Sequence, residues 1–185
     1  MEFEKVVEEI NRFWNKRDAA WNSYNPVFRG GEECELERIQ GLFPKTFPLE
    51  LRNYVKEVAP DKDFYFRTVG NDICIYNYKK LSNSIDGYSF NPVTGKKIDD
   101  WSSYWFLLGD EGGDPLIVDL SQAEDDTKKC PVLQAMHGEG KWNFREISSS
   151  ISQFLLCAAY QHHALVGFDI DEPIIDKGND LYHTY

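Results

Sequence analysis

Apolar residues recur at three- and four-residue steps in several segments of the chain, and this spacing predicts helices. The first helix is predicted over residues 3–22, and the second runs from about residue 32 to residue 41. A third is predicted over residues 49–58, where Pro48 suits the first turn and Pro60 ends the helix. The chain therefore begins with a helical part.

The middle of the chain changes to a two-residue period, which is typical of strands. Residues 63–78 alternate on either side of Gly70-Asn71, a turn signal, and are predicted to form a hairpin. The polar residues 83–97 indicate an irregular loop. Residues 104–108 and 116–120 are nearly continuous apolar runs, so they are expected to lie centrally in a sheet.

Two further strands are predicted at residues 132–136 and 142–144, joined by a turn at 137–140. A closing helix follows, capped by one of the serines at 148–150. Its buried face is expected to contain Ile151, Phe154, Leu155, Ala158 and Ala159. The order predicts an α+β fold with N-terminal helices, a central, mostly antiparallel twisted sheet of about five to six strands, and a C-terminal helix.

Length and charge limit the classes of function and partner that fit the chain. The chain has 185 residues, enough for one domain with a substantial core, and a net charge of −11. Such a surface repels nucleic acid and anionic membranes and attracts a basic protein, although acidity also serves solubility alone. The start has no secretory-signal pattern, and no apolar run is long enough to span a membrane. Four cysteines without a C-x-x-C pair favour the reducing cytoplasm.

The Gly/Asp-rich segment 109–115 lies between the two central apolar runs. It lacks both phosphate-loop spacings, and no helix pattern follows it, so phosphate binding is rejected. Carboxylates near the turn offer oxygen ligands for calcium or magnesium: Asp110, Glu111, Asp114 and Asp119. The alternative, a hairpin whose Gly and Asp residues accept unusual backbone dihedrals, is favoured because the calcium-loop spacing is absent.

The other reactive residue types show no catalytic spacing. The adjacent His162 and His163 point in different directions on a helix, and structural roles are expected for all four histidines. No G-x-S-x-G motif is present, and no cysteine has the local context of a protease nucleophile. We therefore expect no catalytic residues, no cofactor and no metal, and a protein that is not an enzyme.

Aromatic and acidic residues near the central runs are the remaining functional candidates. Tryptophan and tyrosine are favoured anchors at protein interfaces. Trp105 is expected in the core, whereas exposure and burial of Trp101 stay open alternatives. The predicted partner-binding residues are Asp99, Asp100, Trp101, Asp110, Glu111 and Asp114.

Several segments occur in an order that resembles the SUKH superfamily, the Smi/Knr-type group of fungal cell-wall-synthesis regulators and bacterial immunity proteins. ELERIQGLFP from residue 35, with the helix at 51–58, resembles the opening helices of that family. WFLLGDEGGDPLIVDL from residue 105 is similar to its central hairpin. The last strands and closing helix are matched by PVL from residue 131, HGEGKW from residue 137 and residues 149–156.

The resemblance implies a SUKH-like α+β domain at residues 32–165 that serves as a binding platform. Residues 1–31 would be a helical extension and residues 166–185 a tail, neither with a counterpart in the family, and the link at 43–47 is longer than usual. The implied function is that of an immunity protein that binds and neutralises a cognate toxin, often a basic nuclease. Alternatives are a regulatory or scaffold adaptor of the same fold and, less favoured, a metal-dependent enzyme.

Overall fold

A central six-stranded antiparallel sheet organises the chain in the computed structural model, which describes residues 3–4, 6–8, 30–67, 71–82, 87–123 and 129–165. The strand order is β1-β2-β5-β6-β7-β8, and β3 and β4 form a separate two-stranded sheet. The strands are β1 Phe64–Arg67, β2 Asp72–Ile75, β3 Phe90–Asn91, β4 Lys96–Lys97, β5 Trp105–Glu111, β6 Asp114–Asp119, β7 Val132–Gln134 and β8 Arg145–Ser148. The predicted α+β class is confirmed.

The helices also follow the predicted periodicity. They are α1 Glu33–Gln40, α2 Leu49–Asn53 and α3 Ile151–Leu165. Residues 3, 4 and 6–8 are helical, and the rest of the predicted N-terminal helix lies outside the described residues. The prediction of one continuous α-helix over residues 49–58 is wrong in its second half, because Tyr54–Val58 forms a π-helical turn. The Ala59 amide donates to the Tyr54 carbonyl at 2.8 Å, one residue further back than in an α-helix.

Helices and sheet together enclose the larger of two apolar clusters. Its sheet-borne members include Phe64, Phe66, Ile73 and Ile75. Residues 3 and 6 of the N-terminal helical segment belong to it, as do all five predicted buried residues of α3. We call this the helix-side core.

A buried carboxylate joins three elements at the edge of the helix-side core. Glu50, in the first turn of α2, is only 4% exposed. It accepts hydrogen bonds from the backbone amide of Cys130, just before β7, and from the amide and hydroxyl of Ser152, in the first turn of α3. A negative charge at a helix N-terminus is favourable, so this contact anchors the start of α3.

The β1–β2 hairpin is confirmed, with Phe64 opposite Ile75 and Arg67 opposite Asp72. Its predicted turn residue Gly70 lies outside the described residues. Asp63 closes the other end of the hairpin by accepting hydrogen bonds from the Asn77 amide at 3.1 Å and the Asn77 side chain at 2.6 Å. Lys80 adds an ion pair to the same carboxylate.

Replacing Asp63 with asparagine should destabilise the fold by about 1–2 kcal/mol at neutral pH, because a charged acceptor is lost. Burial raises the pKa of Asp63, but hydrogen bonds from Lys80 and Asn77 outweigh it and leave the pKa below its ordinary 3.8. A lowered pKa means that the stabilisation is complete above pH 3.8 and is lost as the pH falls below it. Urea unfolding of both proteins should therefore show a difference that shrinks towards about pH 3. Substitution of the exposed Glu57 with glutamine is the control. A stability difference between the parent protein and the Asp63 variant that is equal at neutral pH and at about pH 3 would contradict a stabilising role for the ionised Asp63.

The β5–β6 hairpin occupies the two middle positions of the sheet, as predicted. Its strands are longer than expected, and the turn shrinks from residues 109–115 to Gly112-Gly113. Both glycines have positive φ, +60° and +100°, which a tight type I′ turn requires. The favoured hairpin interpretation is confirmed in form, but the unusual dihedrals belong to the glycines and not to the neighbouring acidic residues.

A β-bulge interrupts β5. Leu107 lies opposite Ile117, whereas Gly109 lies opposite Leu116, so Leu108 is the extra residue. Strict alternation from Phe106 and Leu108 would turn Asp110 towards the helix-side core. The extra residue reverses which face of the sheet the following side chains occupy. Asp110 therefore lies opposite Cys74, on the other face of the sheet. We call this other face the outer face.

Two sequence predictions are wrong in this region. Residues 83–97 are not wholly irregular, because β3 and β4 pair through Phe90–Lys97 and Asn91–Lys96. The last strand is not residues 142–144 but Arg145–Ser148, which pairs with β7. The physical reason is that Trp142 and Phe144 pack over the outer face and are not part of the sheet.

Candidate functional site on the outer face

Aromatic rings cover the outer face of the sheet and form a second apolar cluster. Its buried members are Tyr88, Trp101, Leu107 and Ile117, and the partly buried side chains packed against them include Trp105, Trp142 and Phe144. We call this set the outer cluster. Its rings pack mostly edge-to-face, an arrangement that favours a fixed geometry.

Trp101 lies at the centre of the outer cluster. It is 5% exposed and packs against Trp105 at a centroid distance of 5.3 Å and against Trp142 at 5.8 Å. Burial is therefore the correct alternative for Trp101, and it does not offer an exposed anchor. Trp105 is partly buried against the same cluster, in line with its expected core role.

Tyrosines hold Asp110 at the edge of the outer cluster. The Tyr76 hydroxyl donates to Asp110 Oδ2 at 2.6 Å, and Tyr76 and Tyr88 share a further hydrogen bond. Burial, and then the contact with Asp110, raises the pKa of Tyr76. Burial also raises the pKa of Tyr88, so both phenols stay neutral at physiological pH. Asp110 is thereby tied into the fold and does not form a free acidic surface group.

The other two acidic residues of the hairpin also make internal contacts. Glu111 accepts a hydrogen bond from the Gln134 side chain at 3.0 Å. Asp114 accepts one from the His137 amide at 2.7 Å and contacts His137 Nδ1 at 2.5 Å. These contacts tie the hairpin to β7 and to the loop after it. Three of the predicted partner-binding residues, Asp110, Glu111 and Asp114, are therefore half-buried and make hydrogen bonds within the protein.

Asp99 and Asp100 remain as exposed acidic residues. Neither makes a hydrogen bond or ion pair with another residue in the part of the chain that the structure describes. Asp100 lies at the rim of a groove of ≈ 330 Å³ beside the outer cluster. The groove is lined by Ile98, Asp100, Met136, Gly138, Glu139, Gly140, Lys141 and Trp142.

Sequence reasoning missed most of this groove, because six of its eight lining residues come from the loop between β7 and β8. The sequence predicts a turn at residues 137–140, and residues 137–142 resemble a family segment, but no partner-binding residue is predicted there. Gly138 and Gly140 both have positive φ, +85° and +79°, and they set Glu139 in an exposed loop next to Trp142. The Gly-Glu-Gly-Lys-Trp order was the available signal, because paired glycines around a charge indicate a tight, exposed loop.

Thiols on both sides of the sheet are held in unreactive states. Burial raises the pKa of the Cys74 thiol to about 11 and that of Cys130 to about 12. The hydrogen bond with Cys74 raises the pKa of Tyr65 to about 12. These thiols stay protonated at neutral pH and are poor nucleophiles. Among the described residues, no three His, Cys, Asp or Glu side chains gather closely enough to hold a metal ion.

Within the described ranges, every helix is too short or too polar to cross a membrane. Comparison of the chain with protein-family models and with curated proteins finds no match.

Proposed function

We propose that this chain is a non-enzymatic protein-binding module of the immunity type, which binds a basic bacterial toxin domain and blocks its active surface. The observation that supports this proposal most is the apolar groove at the outer face with exposed carboxylates at its rim. Apolar walls exclude water, and acidic rims attract cationic partners.

Charge supports the same partner. The net charge of −11 raises the rate of encounter with a basic protein, and a nuclease-type toxin is basic because it binds nucleic acid. A cytoplasmic site of action belongs to the proposal, since all four cysteines are free thiols. Cells that make a nuclease toxin need its inhibitor in that compartment.

The test is co-expression with a toxin domain encoded beside the gene, followed by co-purification and a growth-protection assay. We expect a stable complex whose association slows as salt is raised. The double substitution of Asp99 and Asp100 with asparagine should lower the association rate several-fold and change the dissociation rate little, because exposed charges near a binding surface steer encounter.

Replacement of Glu37 and Glu57 with glutamine is the matched control, because it removes two exposed carboxylates on the helix side. An equal loss of association rate in both double variants would show that only total charge matters. Failure to bind or protect against any adjacent toxin would contradict the proposal. Binding of a housekeeping protein instead would support the regulatory adaptor of the same fold.

A further inference from the structure

We infer that the groove beside Trp142 is a receptor for one arginine side chain of the partner. The inference rests on the proposed function for the source of that arginine, but the chemistry of the groove stands by itself. Its walls and rim match the two parts of an arginine, an apolar stem and a planar cation.

The walls provide the surface for the stem and the guanidinium plane. Met136 is 49% exposed, and Ile98 and Trp142 are partly buried along the same groove. A tryptophan ring is the strongest cation–π partner among the side chains. Met136 is a flexible, polarizable wall that adapts to an inserted chain.

The rim provides the charge. Asp100 and Glu139 lie in the groove lining and are exposed. Within the described residues neither carboxylate makes a hydrogen bond or ion pair, so their acceptor oxygens face solvent. A guanidinium presents several N–H donors in a fixed fork and pairs well with carboxylates, whereas an ammonium acts as a point charge.

Lys141 lines the same groove and is the competing cation. It makes no ion pair with either carboxylate in the portion that the structure describes, so it leaves both rim charges open to a partner. With two carboxylates and one ammonium, the groove carries a net negative charge. That charge favours a cationic occupant over a neutral or acidic one.

The outer cluster keeps the receptor wall in place. Trp142 packs on Trp101 at 5.8 Å and on Tyr88 at 5.7 Å, and both of those side chains are buried. A wall that is fixed before binding loses little conformational entropy when the arginine enters. This explains why a buried aromatic cluster lies directly beneath an exposed groove.

The experiment titrates the full chain with N-acetyl-arginine-N-methylamide and follows the indole Nε1–H NMR signals. The matched probe is the citrulline analogue, which has the same shape without the charge. The Trp142 signal, identified from a Trp142→Phe variant, should move with the arginine probe at concentrations on the order of millimolar, as expected for one side chain. It should move little with citrulline.

The variant carrying Asp100→Asn and Glu139→Gln should weaken binding of the arginine probe at least about tenfold, by losing two charge-assisted contacts. The variant carrying Glu37→Gln and Glu57→Gln should bind like the parent protein. A Trp142 signal whose chemical shift does not change with the arginine probe would overturn the inference. Equal chemical-shift changes with the arginine and citrulline probes would overturn it as well.

The same variants separate this inference from the proposed function. Arginine binding without binding of any toxin would leave the receptor standing and overturn the immunity role. Unchanged toxin affinity in the Asp100/Glu139 variant, together with no response to the arginine probe, would overturn the receptor and leave the immunity role standing.

Discussion

Replacing Gly109 with alanine is expected to lower the free energy of unfolding by more than about 4 kcal/mol. Gly109 lies in β5, the third strand of the sheet, next to the bulge at Leu108. A Cβ at this position would lie 1.9 Å from the Cys74 carbonyl oxygen and 3.1 Å from the Ile75 Cα. These atoms belong to the backbone of β2 and cannot rotate away, so β2 and β5 would have to separate.

Urea unfolding followed by circular dichroism measures the effect, and Gly95→Ala is the control. Gly95 has φ of +68° and no heavy atom within 4 Å of an added Cβ. Its substitution carries only the backbone strain of a positive φ, about 1–2 kcal/mol. Similar stabilities for the two alanine variants would show that β2 and β5 tolerate the clash, which would contradict the close approach described above.

Replacing Glu50 with glutamine is expected to cost about 2–4 kcal/mol, although the side chain keeps its shape. The carboxylate accepts hydrogen bonds from Cys130 and Ser152 on both of its oxygens. A glutamine has one acceptor oxygen, so its amide group would place donors against a backbone or hydroxyl donor. One buried donor at least would then lose its partner.

Guanidinium unfolding measures the Glu50 effect, and amide NMR signals locate it. The Cys130 and Ser152 amides should shift, and α3 should lose protection from hydrogen exchange at its first turn. Substitution of the exposed Glu37 with glutamine removes a carboxylate of the same type from α1 and should change stability by less than about 0.5 kcal/mol. Equal midpoints for the two variants would falsify the anchoring role of Glu50.

Much of the fold follows from local patterns along the chain. The two-residue alternation around Phe64–Phe66 and Ile73–Ile75 predicted β1 and β2, and the three- and four-residue steps after Ser150 predicted the buried face of α3. These patterns depend on which face of an element is buried, and the sequence shows that directly. The central place of β5 and β6 also followed, because both strands are covered on two faces.

The bulge and the buried Glu50 could not be predicted in the same way. Trp105–Leu108 is a continuous apolar run, so it has no alternation from which a phase reversal could be recognised. A glutamate in the first turn of a helix is normally a solvated residue that interacts with the helix dipole. Glu50 becomes a buried acceptor only when α2 meets both the start of α3 and the segment before β7.

Only part of the candidate site could be predicted from the sequence, for a related reason. Asp99 and Asp100 are predicted from their charge alone, and both are exposed. Glu139 and Trp142 come from a distant part of the chain and reach Asp100 only in the folded state. The acidity of Asp110 predicts a partner-binding role, yet its contact with Tyr76 depends on the bulge.

The order of the strands has an evolutionary consequence. β2 and β5 are neighbours in the sheet, so everything between them is an insert whose two ends meet at adjacent strands. The first part of this insert belongs to the fold itself, because Leu81 is buried in the helix-side core and Tyr76 and Tyr78 pack against it. Residues 87–104 are not members of that core, so this later part can change in length or sequence without altering the strand order. A lineage under pressure to recognise new partners can therefore exchange residues 87–104 while the helix-side core stays constant.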